Sequence, residues 1–207
     1  MFEYLSQHPL AAVALTVLVI LTIFMWIKAV SASRRHGKER DAEIARIEKE
    51  KALRAEFRHL DGTAFATDKD DYRLIIGMCA HVQMSIEKEP DINAAFESLS
   101  EVRRNVYCLG YVFEDSSKKL SEFFRSNGEP MLSAARSAVD SIIGGKFADL
   151  FDSEFVMLDE NDETTSVDNA MLEEWDGEYA RLMEAEGEAI LALAADYIRR
   201  NKAEFTG

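Results

Sequence analysis

Four histidines, two cysteines and 38 carboxylates are the groups in this chain that could carry metal, nucleophilic or acid–base chemistry. A metal site needs ligands that converge, and helical spacings such as H-x-x-x-H or H-E-x-x-H bring that about. His8, His36, His59 and His81 make no such pair. Cys79 and Cys108 have no metal-ligand spacing, and both fall among apolar neighbours, which predicts two buried thiols rather than a disulfide. There is no G-x-S-x-G elbow and no glycine loop to cradle phosphate. Asp159, Glu160, Asp162 and Glu163 have the composition of a calcium loop without its D-x-[DN]-x-[DN]-G-x5-E order. Glu184, Glu186 and Glu188 spread around one side of a helix and read as a solvated face. The expectation is a protein that is not an enzyme and takes no cofactor and no metal.

What remains distinctive is charge. The net charge is −14, unevenly placed: residues 28–60 sum to +4 and residues 61–207 to −17. Between residues 149 and 188 there are 15 acidic residues and one basic residue, Arg181. Such a surface repels nucleic acid and anionic lipid and suits an electropositive protein, including one that otherwise holds DNA. Asp159, Glu160, Asp162, Glu163, Glu173 and Glu174 are the candidate interaction surface. Direct nucleic-acid binding is not expected.

Residues 10–27 (LAAVALTVLVILTIFMWI) carry no charge. At about 1.5 Å per residue the run nearly crosses a hydrocarbon core of about 30 Å, and Ala29 and Val30 extend it if Lys28 snorkels. The small residues at 29–33 (AVSAS) also suit a signal peptidase, but the segment before the run has no Lys or Arg and carries Glu3. Lys28, Arg34, Arg35, Lys38 and Arg40 follow the run, which keeps that end in the cytoplasm. The expected organisation is a short extracytoplasmic N-terminus (1–9), a single transmembrane helix (10–30), a basic helical stalk (31–60) and an acidic helical domain (61–207). Trp26, Lys28, Arg34 and Arg35 mark the membrane interface, where lipid is a partner. The location implied is the inner membrane of a bacterium, with the C-terminal domain in the cytoplasm.

The stalk has many opposite-charge neighbours three or four apart. Its coiled-coil seam is poor, because Ile44 and Ile47 are followed by Lys51 and Arg54 at equivalent heptad positions. Leu53, Phe57 and Leu60 are instead expected to dock on the domain, with a homodimer through the stalk left open. Beyond a loop at 61–71, Tyr72, Ile75, Ile76, Cys79, Val82 and Ile86 recur at helical steps. A short helical turn follows around Ile92, Ala95 and Phe96. Ser100 reads as the N-cap of one long helix, 101–126, and Gly110 inside it signals a close helix crossing. Pro130 begins the next helix and Gly144-Gly145 closes it through a left-handed cap. Residues 146–158 read as a short helix and a packed irregular strap, and 159–168 as an acidic loop. Asp168 caps a helix burying Met171, Leu172, Trp175, Tyr179 and Leu182, with a kink at Gly187. The fold class expected is all-α: a transmembrane helix, a charged helical stalk and a compact bundle of five to seven helices.

Several segments carry a family resemblance. They are Phe96-Glu97-Ser98-Leu99-Ser100 with Arg104-Asn105-Val106-Tyr107; Glu114 followed by Leu120, Phe123, Phe124, Asn127 and Gly128; Ala138 with Ile143-Gly144-Gly145; and Trp175, Glu178, Tyr179 with Tyr197-Ile198-Arg199-Arg200-Asn201 and Phe205. Together, over about residues 91–205, they resemble the C-terminal domain family named after a neisserial DNA-mimic protein. The named member is an acidic dimer that occupies the DNA-binding face of a transcription regulator. The resemblance therefore implies an acidic all-helical domain whose partner is a DNA-binding protein. Where many relatives have a double glycine before the aromatic segment, this chain has Lys118-Lys119, which favours a continuous exposed helix.

Two functions compete. One is a membrane-tethered acidic interaction module of the DNA-mimic-like type. The other is a structural or adaptor subunit of a bacterial membrane assembly, with acidity serving solubility alone.

Overall fold

The computed structural model describes residues 44–60, 62–66, 70–158 and 168–206. The expected membrane span at 10–30, its interface residues Trp26, Lys28, Arg34 and Arg35, and the first part of the stalk lie outside the described residues. Among the described residues no helix is long and apolar enough to cross a membrane. The chain divides into two compact units, Met1–Lys51 and Ala52–Gly207. In the first, residues 44–51 are helical, and Ile44 and Ile47 stand on the surface.

The second unit opens with helical residues 52–56, then Phe57, which is buried. Leu53 and Leu60 pack against the same core. Seven helices follow: α1 (Asp71–Ile86), α2 (Ile92–Glu97), α3 (Glu101–Asp115), α4 (Leu120–Ser126), α5 (Met131–Ile142), α6 (Gly145–Leu158) and α7 (Asn169–Arg200). Short 3-10 turns at Gly62–Phe65 and Lys202–Glu204 complete it. Among the described residues there is no strand, and the fold is all-α.

Four helix starts are set by local side chains. Asp70, Asp91, Ser100 and Asp168 each accept a hydrogen bond from a backbone N–H of the first turn that follows. Each satisfies a donor that the helix itself leaves open. α5 ends as its glycines require: the Gly144 N–H reaches the Val139 carbonyl at 2.9 Å, and Gly144 and Gly145 take φ of 66° and 58°. That left-handed conformation costs a residue with a Cβ about 1 kcal/mol or more.

α3 is the central helix. It packs along α1 and α5, and its residues 105–110 are all buried. Gly110 is where α1 and α3 cross, because a Cβ there would overlap the Cys79 side chain. Gly77 serves Phe57 in the same way, since a Cβ would occupy the position of its ring. His81 Nδ1 lies 2.8 Å from the Phe57 carbonyl, so this histidine is half-buried and satisfied rather than a ligand. An Arg54–Glu87 ion pair of 2.8 Å and an Arg73–Glu56 pair clasp the same segment to α1. α7 closes the bundle against α1, α4 and α6. Arg199 near its end pairs with Asp71 at the start of α1, at 2.6 Å.

The structure corrects several expectations. Residues 101–126 are not one helix: the chain leaves α3 at Ser116 and re-enters helix at Leu120, with Lys119 extended at φ −148°. The Ser116 hydroxyl bonds back to the Val112 carbonyl, competing with the helix ladder. Lys118-Lys119 therefore lies in a turn and not on a continuous helix. Residues 146–158 are no strap but part of the 14-residue helix α6. Phe147, Phe151 and Glu154 fall at helical spacing and are its buried positions. α7 is one 32-residue helix through Gly187, where a Cβ would meet only Met183, at 3.5 Å. Tyr72, Ile92 and Met171, expected on buried faces, are exposed. Each lies in the first turn of its helix, at the edge of the apolar stripe.

Candidate functional site: an acidic outer helix over a buried carboxyl pair

α7 presents two faces of opposite character. Leu172, Tyr179, Leu182, Ile190, Ala194 and Ile198 turn inward. Glu173, Glu174, Glu178, Glu184 and Glu188 are all exposed. At 3.6 residues per turn these five fall within an arc of about 140°, with Arg181 in its middle. The predicted site residues Glu173 and Glu174 are thus brought together with three further carboxylates on one helical stripe. The Glu174 to Glu178 step and the Glu184 to Glu188 step each advance about 6 Å along the axis. One strand of duplex DNA carries a charge about every 3.4 Å, so the stripe repeats at roughly every second phosphate. Asp159, Glu160, Asp162 and Glu163 lie outside the described residues.

An open cleft of about 630 Å³ runs between α6 and α7. Trp175, Leu150 and Leu182 line it, with Lys146, Asp149 and Glu178 among the charged residues beside them. Cation and anion are mixed there, so the cleft does not extend the acidic stripe.

Beneath the stripe sits a polar cluster that sequence reasoning missed. Asp176 is 5% exposed. Its Oδ1 accepts the Ser121 N–H at 3.0 Å and its Oδ2 accepts the Ser121 hydroxyl at 2.8 Å. Lys119 Nζ is 3.7 Å away. Lys119 occupies the N-cap of α4 and makes no side-chain cap bond of its own. Asp176 therefore caps α4 from another helix, which lets the chain restart as helix after the 116–119 turn. One turn along α7, the Tyr179 hydroxyl meets Ser116 Oγ at 2.7 Å.

Glu154 of α6 faces the same cluster and is fully buried. Neither of its carboxyl oxygens has a hydrogen-bond partner among the described residues. Burial, and then the charge of Asp176, push this carboxyl up to about 8, with Arg125 acting in the opposite direction. At neutral pH Glu154 therefore keeps its proton. Asp176 lies four residues after Leu172 and three before Tyr179, and Glu154 lies three after Phe151. Those helical offsets on the apolar stripes were the available signal, hidden by counting both residues as surface charge.

The thiols offer no nucleophile. Cys79 and Cys108 are free and buried, as expected. Burial holds Cys79 well above the usual thiol range and pushes Cys108 up to about 12. A thiol at those values is protonated and inert. Burial also lowers His81, aided by the nearby charges of Arg103 and Lys88 and opposed by its bond to Phe57. Among the described residues, no group of three or more His, Cys, Asp or Glu side chains is placed to hold a metal ion.

The arrangement defines a class: an all-helical bundle with an acidic outer helix and a buried carboxyl pair. No family model matches the chain, and neither a curated protein nor a solved structure does.

Proposed function

We propose that this protein is an interaction module whose acidic helix α7 engages an electropositive protein surface, held at a membrane by the apolar run at 10–27. The observation that carries the reading is the stripe of Glu173, Glu174, Glu178, Glu184 and Glu188, exposed on one side of a helix whose opposite side is buried. Carboxylates fixed at helical intervals meet lysines and arginines with less ordering cost than a mobile acidic tail. They also speed encounter with a positive partner. The resemblance of residues 91–205 to the DNA-mimic-like family supports a DNA-binding protein as that partner. Asp159, Glu160, Asp162 and Glu163 enter the proposal through their charge alone.

The test uses tagged full-length protein in detergent, and a variant with Glu173, Glu174, Glu178, Glu184 and Glu188 each changed to Lys. Basic proteins retained by the native chain are expected to be released by raised salt and by excess duplex DNA, and to be absent from the variant. A retained set indifferent to salt, to DNA and to charge reversal would overturn the proposal and favour the adaptor role.

A further inference from the structure

Ser121 at the start of α4, Glu154 on α6, and Asp176 and Tyr179 on α7 form one polar cluster inside the bundle. Three of the four have evident partners. Ser121 is held by Asp176, and Tyr179 by Ser116. Glu154 is the exception, fully buried with both oxygens unpartnered among the described residues. A buried carboxyl without donors is tolerated by keeping its proton, since the ionised form gains nothing in place of lost water.

The groups packed around Glu154 oppose its ionisation more than they favour it. From α7, the charge of Asp176 acts on it, and a charge on Glu154 would in turn raise the Tyr179 hydroxyl. From α4 comes Arg125, which alone favours the charged form. On the α5 side, Arg136 is engaged by Asp152 and lies over the Phe155 ring at 4.7 Å. Lys119, on the turn ahead of α4, is directed to Asp176.

We propose that Glu154 is a proton-binding site that controls the α4 cap. With its proton in place, Asp176 is free to hold the Ser121 N–H, the Ser121 hydroxyl and Lys119. When the proton leaves to solvent, a second negative charge faces Asp176 inside the core. The cap on α4 and the 116–119 turn then loosen together. The elevated affinity of Glu154 for its proton places this change just above neutral pH. The device does not depend on what α7 binds.

Full-length protein in detergent, the Glu154→Gln variant and the Asp176→Asn variant provide the test. The side-chain carboxyl carbon of Glu154, followed by NMR, is expected to titrate near 8. A midpoint among the ordinary glutamates overturns the proposal. The Ser121 amide is expected to exchange with solvent increasingly faster in the native chain than in Glu154→Gln, the ratio growing about tenfold per pH unit up to that midpoint. An unchanging ratio overturns it. Asp176→Asn keeps an acceptor for Ser121 and removes the neighbouring charge, so it should lower the Glu154 midpoint. An unmoved midpoint overturns the coupling, and this variant decides the matter even if Glu154→Gln does not fold.

Discussion

Asp176 caps helix α4 from 55 residues away, its two carboxylate oxygens taking the Ser121 N–H at 3.0 Å and the Ser121 hydroxyl at 2.8 Å. A cap supplied in trans ties the break in residues 101–126 to the position of α7. Removing it leaves a buried N–H and a buried hydroxyl unpaired. Asp176→Ala is expected to destabilise the domain by about 2–4 kcal/mol, the range for a lost charged bond plus unsatisfied groups. Asp176→Asn should cost less than half of that. Urea denaturation followed by circular dichroism measures both.

Glu154 makes stability depend on pH with a definite sign. Its carboxyl holds a proton up to about 8 in the folded protein, and an ordinary glutamate has released its own well below that. The folded state therefore binds the extra proton, and this contribution to stability is fully present in acid. It is lost as pH rises towards 8, by at most about 1.4 kcal/mol per pH unit, and levels off beyond. Glu154→Gln should flatten the profile between pH 5 and 8, when denaturation midpoints are compared across that range.

The α1–α3 crossing at Gly110 has no room for a side chain, because a Cβ would overlap Cys79. Gly110→Ala should cost about 1–3 kcal/mol through overpacking, although alanine is the better helix former. Cys79→Gly in the same chain should recover part of that loss. A double-mutant cycle with a non-additive term of more than about 0.5 kcal/mol is the expected reading.

Cys79 and Cys108 should be silent to a thiol reagent at pH 8. Both are buried, and burial keeps both thiols protonated. Labelling should rise to two thiols per chain only on unfolding, followed by mass spectrometry in increasing urea.

Charge reversal on the outer stripe should leave the fold intact. Glu173→Lys and Glu174→Lys lie on exposed positions, so each should change stability by no more than about 0.5 kcal/mol. Thermal melting of the two variants beside the native chain measures this. Any loss of partner binding in them then reports on the surface and not on folding.

The sequence by itself determined the all-helical class, the capped helix starts at Ser100 and Asp168 and the main crossing point. Ser100 and Asp168 act on backbone donors two or three residues away, and Gly110 stands out within its own helix. These are local effects, and local pattern suffices to read them. The exposure of Glu173 and Glu174 was legible for the same reason, since both fall off the apolar stripe of α7. Tertiary structure alone decided the break between α3 and α4, because the carboxylate that caps α4 belongs to α7. It also decided that Glu154 and Asp176, counted among the surface charges, lie inside. A carboxyl on an apolar stripe is exposed or buried according to what the other helices set against it. Here Ser121 of α4 holds Asp176 of α7, Glu154 of α6 is buried beyond the reach of any hydrogen-bond donor among the described residues, and no helix records that arrangement in its own residues.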